Sequence, residues 1–143
     1  MRDEKRTAES LRSVPLFAQL PDRELRLVTR TAREEAFVAG EELVGEGKQA
    51  GPMFVLLEGK ATVLVQGQER GSLGPGDFFG EMALLDRQPR SATVRADSDV
   101  VALAISSWDF LALLRESWEL THQVLTALAA RVRILDNTPS TNC

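Results

Sequence analysis

All ten glycines of this 143-residue chain fall between positions 40 and 80, at 40, 45, 47, 51, 59, 67, 71, 74, 76 and 80. Glycine at that density cuts residues 35–105 into short apolar runs bounded by turns, the signature of strands rather than helices. Eight runs stand out as candidate strands: 37–38, 43–44, 53–57, 61–65, 71–73, 78–79, 92–96 and 100–105. Several alternate with period two, and Gln66-Gly67 and Gly74-Pro75-Gly76 read as turns. Eight short strands with tight turns predict an antiparallel jelly roll, an architecture that manages exposed sheet edges.

Helical periodicity brackets the roll. Before it, the runs beginning at Thr7 and Leu20 fit two short helices within about 7–33. Pro15 interrupts the first, and Asp22 and Glu24 lie in the first turn of the second, where acids suit the helix dipole. After it, Ser106 or Ser107 can cap a helix over 108–115, and a longer helix is predicted over 118–135. Leu125, Leu128, Val132 and Leu135 fall at spacings of three, four and three along the longer one. That is a coiled-coil seam of about two heptads, short of the three or four that define one, so packing on the chain's own roll stands beside it as an equal reading. The predicted fold is mainly β with flanking helices: an eight-stranded antiparallel jelly roll over about 35–105, N-terminal helices over 7–33, a C-terminal helix pair over 107–135 and a polar tail over 136–143. With 43% hydrophobic and 27% charged residues, one domain over 1–143 is expected, and its core needs neither metal nor disulfide.

Composition narrows the chemistry. The sole cysteine, Cys143, is terminal, which suits a reducing cytoplasm and is expected to be an exposed thiol. The longest wholly apolar run is 100–105, so neither export nor a membrane span is expected. A net charge of −4, with seventeen Lys and Arg scattered among twenty-one acids, offers no basic stripe for nucleic acid; small basic clusters occur only within 2–6 and at Arg131 with Arg133. The single histidine, His122, is expected on a helix surface. With it and Cys143 there is no nucleophile–base pair and no metal-ligand set, so no enzyme, metal or cofactor is expected.

The unusual chemistry is concentrated in residues 79–94. Gly80 follows two phenylalanines and precedes a short apolar run able to form about one helical turn, whose free N–H groups attract an anion. A glycine there permits unusual φ and close approach of a ligand to the backbone. Arg90 supplies full charge as a planar fork that holds two oxygens of one phosphate, and Pro89 stiffens its approach. Glu81 would repel a phosphate unless it accepts a hydrogen bond, for which a sugar hydroxyl is the natural donor. The residues thus suggest a ligand carrying a phosphate and a hydroxyl close together, with the Ser91 hydroxyl within the cradle. Taken alone, Arg90 also has a plainer use as a surface ion pair with Asp86 or Glu81, worth about 0–1 kcal/mol.

The ordered set Gly76-x-x-Phe79-Gly80-Glu81-x-Ala83-Leu84-Leu85, followed by Pro89-Arg90-Ser91-Ala92-Thr93-Val94, resembles the phosphate-binding cassette of cyclic nucleotide-binding domains. It is similar to the cassettes of bacterial catabolite activator proteins and of the regulatory subunits of cyclic-AMP-dependent protein kinases. Residues 54–63 resemble the family's strand-Gly-strand hairpin, and the resemblance spans about 14–134. It implies that Glu81 accepts a hydrogen bond from the ribose 2′-hydroxyl, that Arg90 pairs with the cyclic phosphate, and that Gly80, Met82 and Ala83 provide backbone contacts. Ser91, after the arginine, favours cyclic AMP over cyclic GMP, since threonine is common there in domains selective for the latter.

At the base end the resemblance implies a wall including Val63, Val65 and Leu73, closed by residues of the last helices. Trp118 stands where many relatives have proline; it is expected either to anchor on the roll or, less in keeping with its position, to stack on the base. Arg131 or Arg133 is the other candidate cap. The family's transcription regulators carry a helix-turn-helix after the long helix, whereas only ten residues follow Arg133 here, so DNA binding is not expected. The implied function is a cyclic nucleotide sensor whose long helix moves on binding, with output through a homodimer along that helix or through an unidentified effector. A ligand-free interaction module on the same fold, or an effector domain excised from a larger regulator, is the alternative.

Overall fold

The computed structural model describes residues 4–49, 51–80 and 87–137, with side chains from 7 to 133 within those ranges. Among them are eight strands: β1 (Arg33–Phe37), β2 (Glu42–Val44), β3 (Met53–Glu58), β4 (Ala61–Val65), β5 (Gln68–Leu73), β6 (Phe78–Phe79), β7 (Thr93–Ala96) and β8 (Val100–Ile105). They pair antiparallel into two four-stranded sheets, ordered β1-β8-β3-β6 and β2-β7-β4-β5, the jelly roll expected from the sequence. Four helices flank it: α1 (Glu4–Arg12), α2 (Asp22–Thr31), α3 (Ser107–Glu116) and α4 (Trp118–Asn137).

The strand sequences explain how the layers stack. In β3, Phe54 and Leu56 point into a core between the sheets, which also takes Leu43, Phe79, Val94 and Ala102. Met53 and Val55 point the other way, into a second core that the helices cover with Phe17, Leu25, Phe110 and Leu120. β8 divides in the same manner, Ala102 and Ala104 inward and Leu103 and Ile105 toward the helices. Both faces of these central strands are buried, so they read as continuous apolar runs instead of alternating ones. At the β3–β4 turn Gly59 has a φ of +91°, and a Cβ there would collide with the Asp99 carbonyl oxygen, so the position admits only glycine.

The two largest differences from the expected strand boundaries both lie on sheet edges, the others being shifts of one residue. β1 starts at Arg33 and excludes Val38, which is exposed; its Arg33-Glu34-Glu35 start carries the charge that blunts an edge. β5 reaches back to Gln68 through exposed polar residues that gave no apolar signal. At the helical end, Ser106 caps α3 by accepting the Asp109 N–H at 3.1 Å.

The seam anticipated on the long helix is divided by the fold. Leu128 packs half-buried against the helix-side core, while Leu125 and Val132 face solvent; the Leu135 side chain lies outside the described residues. The exposed row on α4 is instead Trp118, His122, Leu125, Ala129 and Val132, spaced four, three, four and three. The expected anchoring of Trp118 on the roll is corrected here: the ring is 69% exposed and lies 6.0 Å from the His122 ring. Its position at the first turn of α4 turns it away from the core that Leu120 and Val124 enter.

Candidate functional site

Arg90 is the buried charge of the described residues, 6% exposed, which removes the surface-ion-pair reading of it. Its backbone is fixed first. Its N–H donates to the Lys48 carbonyl at 2.9 Å, and its carbonyl accepts from the Gly47 N–H at 2.8 Å. Its guanidinium then reaches back across the end of the roll, Nη2 donating to the Pro52 carbonyl at 2.6 Å and Nη1 to the Gly80 carbonyl at 3.3 Å. Two carbonyls orient the fork, and a guanidinium has five N–H donors, so three remain beyond those two bonds. Desolvation lowers the Arg90 pKa below the ordinary arginine value, but the group starts so high that it stays charged at physiological pH. Among the described residues, ion pairs join Arg12 to Asp22 and Arg33 to Glu35, and none reaches Arg90.

Gly80 makes this arrangement possible. Its φ is +91°, and a Cβ on it would stand 2.6 Å from Arg90 Nη1. Any side chain would therefore both strain the backbone and displace the fork. Arg90 and Gly80 open onto a cavity of about 200 Å³, smaller than the ~300–1,000 Å³ usual for small-molecule sites. Ser91 continues the polar end, while Val44, Val63, Leu73, Phe78, Phe79, Ala92 and Val94 form an apolar wall. A polar pocket end with an oriented cation, continuous with an apolar slot, suits a ligand with an anion at one end and a flat apolar ring at the other.

One residue of α4 lines the same cavity. Arg131 lies with its guanidinium carbon 5.1 Å from the centre of the Phe78 ring and donates to the Phe78 carbonyl at 3.4 Å. Desolvation lowers its pKa, and the nearby Asp77 partly offsets this. Because Phe78 and Gly80 are two residues apart, the acceptors of the two arginines are about 7 Å apart along extended chain. The start of α4 is fastened separately: buried Ser117 accepts the Leu120 N–H at 3.0 Å and donates to Glu24 on α2.

The residues singled out from sequence divide into three groups. Gly80, Arg90, Ser91, Val63, Leu73 and Arg131 surround one cavity. Val65, Trp118 and Arg133 are not among its lining: Val65 is half-buried at the far end of β4, and Trp118 and Arg133 face solvent. Glu81, Met82 and Ala83 lie outside the described residues. Sequence reasoning missed Phe78 as the seat of Arg131 and Pro52 as an acceptor for Arg90. The paired Phe78-Phe79 gave a usable signal, since alternate strand residues face opposite sides; a backbone carbonyl 38 positions from its donor gave none.

Residues 34–117 match the model of the cyclic nucleotide-binding domain. The chain belongs to that family. It is 36% identical over 131 residues to a cyclic nucleotide-gated potassium channel of Rhizobium etli, covering 91% of this chain and 37% of the channel. It is 33% identical over 131 residues to the cyclic AMP receptor protein of Thermus thermophilus, covering 88% of this chain and 61% of that protein. The crystal structure of the Thermus thermophilus catabolite activator protein superposes with a TM-score of 0.78 at 34% identity, covering 85% of this chain and 60% of that one. The N-terminal domain of a Streptomyces coelicolor transcriptional regulator gives 0.69 at 31%, covering 92% and 97%. The chain thus spans less than two thirds of the length of these curated relatives. The family is a regulatory ligand-binding domain found within receptors, channels and kinases alike.

Proposed function

We propose that this chain is a sensor for a cyclic nucleotide, cyclic AMP in preference to cyclic GMP, and that occupancy of its cavity changes the seating of α4. The observation that carries the reading is Arg90: a buried guanidinium, oriented by two carbonyls, at the polar end of a cavity whose glycine leaves it room. In this reading the fork takes the cyclic phosphate, Gly80, Met82 and Ala83 supply backbone contacts, and Glu81 accepts the ribose 2′-hydroxyl. The base lies between Val63, Leu73 and Arg131, with Ser91 at the phosphate end favouring adenine only moderately. A buried cation lacking a carboxylate partner among the described residues supports an anionic ligand, because an anion recovers what desolvation costs the arginine.

Arg131 supports the coupling. A ligand shifts an equilibrium only through contacts that differ between two states, and Arg131 joins α4 to the cavity rim. The exposed four-three-four-three row on α4 favours a second copy of this chain over an unidentified effector as the output partner, since that spacing is self-complementary in a paired helix. The proposal takes 1–143 as one domain in the cytoplasm, not an enzyme, with no cofactor and no part in DNA binding or membrane insertion. No helix among the described residues is long and apolar enough to cross a membrane. Calorimetric titration with cyclic AMP and cyclic GMP tests the reading: saturable binding, tighter for cyclic AMP, is expected. No binding of either below about 1 mM, where affinity is only about −4 kcal/mol, would leave a ligand-free interaction module.

A further inference from the structure

We infer that Gly51 and the Pro52 carbonyl are a positioning element for the phosphate-binding arginine, so that the chain between β2 and β3 sets ligand affinity without touching ligand. This rests on the cavity being a nucleotide site. Gly47, Lys48 and Pro52 all meet Arg90: Gly47 and Lys48 pair with its backbone, and Pro52 accepts from Nη2 at 2.6 Å. A hydrogen bond from a charged donor at that length is strong and directional, and with Gly80 on Nη1 it fixes the plane of the fork. Gly51 completes the mould by having no side chain. A Cβ there would lie 3.3 Å from Nη2, close enough to push the guanidinium by a few tenths of an ångström. Unlike Gly80 and Gly59, Gly51 has an ordinary backbone conformation, so alanine there changes the space beside the arginine and not the path of the chain. Gly51 and Pro52 are half-buried and belong to neither hydrophobic core, so a purely structural role has little to act on.

The experiment compares Gly51→Ala and Pro52→Ala with the unaltered protein. Three quantities are read: the Kd for cyclic AMP, the ligand-free thermal midpoint, and the Nε–Hε resonance of Arg90, assigned by its loss in Arg90→Lys. Gly51→Ala is expected to raise Kd about fivefold, as sub-ångström misplacement of an oriented contact does, with the midpoint unchanged and the Arg90 resonance shifted. Pro52→Ala keeps the carbonyl and is expected to hold Kd within about twofold. An unmoved Arg90 resonance in Gly51→Ala, an unchanged Kd, or a loss from Pro52→Ala as large as that from Gly51→Ala would overturn the inference. Failure of the unaltered protein to bind cyclic AMP would instead overturn the site reading beneath it.

Discussion

The two arginines facing the cavity are held in opposite ways. Arg90 belongs to the roll, is 6% exposed, and has its backbone and its guanidinium both tied to chain segments 10 to 43 residues away. Arg131 belongs to a helix, is exposed, and rests on the ring and carbonyl of Phe78 through longer contacts. A rigid, desolvated fork suits recognition, because its orientation is set before ligand arrives. A cation lying on a ring, worth only about 0.5–1 kcal/mol at an exposed site, suits a contact that must be remade. In the proposed reading one cavity has a fixed end and a movable end, and the movable end is carried by the C-terminal half of α4.

The largest expected effect comes from breaking the fixed end. Arg90→Lys replaces the two-point fork by a point charge and should weaken cyclic AMP binding by about 2–4 kcal/mol in a titration. A loss below 1 kcal/mol would mean that the phosphate lies elsewhere. Next, saturating cyclic AMP at about 100 times Kd should raise unfolding free energy by about 2.7 kcal/mol in urea denaturation. The increment should fall below about 1 kcal/mol in Arg90→Lys at the same ligand concentration. Breaking the movable end should cost less: Arg131→Ala is expected to weaken binding by about 1 kcal/mol while speeding amide exchange along α4 in the ligand-free protein. Loss of affinity with no change in α4 exchange would make Arg131 a ligand contact only.

Smallest in its effect on affinity is Ser117→Ala. It removes both the cap of α4 and the tie to Glu24, so about 1 kcal/mol of stability should go, with Kd nearly unchanged. No pH dependence is expected from either arginine near neutrality. Desolvation lowers both pKa values, meaning that folding disfavours their charged forms, and this cost is relieved only as pH rises toward the lowered values, far into alkali. Cyclic AMP affinity measured between pH 6 and 8 should therefore be flat as far as these groups are concerned.

How much of this could be seen in the sequence follows from where each signal resides. The roll was legible because glycine turns and apolar runs are local, and the buried central strands of one sheet are unbroken runs for the same reason that they are buried on both sides. The edges β1 and β5 were legible only in part, since an edge strand carries charge where a core strand carries apolar residues. Gly80 and Arg90 could be paired because their motif is short and ordered. The Pro52 carbonyl could not, because it joins positions 38 residues apart through a backbone atom that every residue possesses; Phe78 could be placed on the face opposite Phe79, but not matched to Arg131, 53 residues away. The α4 seam was misdivided for a related reason: periodicity gives two possible stripes, and only the roll beneath Leu128 decides which one faces solvent.

Hydrogen exchange measured along the whole chain with and without cyclic AMP tests the division into a fixed and a movable end most directly. The account predicts protection of residues 88–94, where an oriented site gains a ligand, together with a change in exchange across Trp118–Asn137, where Arg131 is reseated. Protection of 88–94 with unchanged exchange across α4 would contradict it, leaving a nucleotide-binding roll whose output does not pass through its long helix.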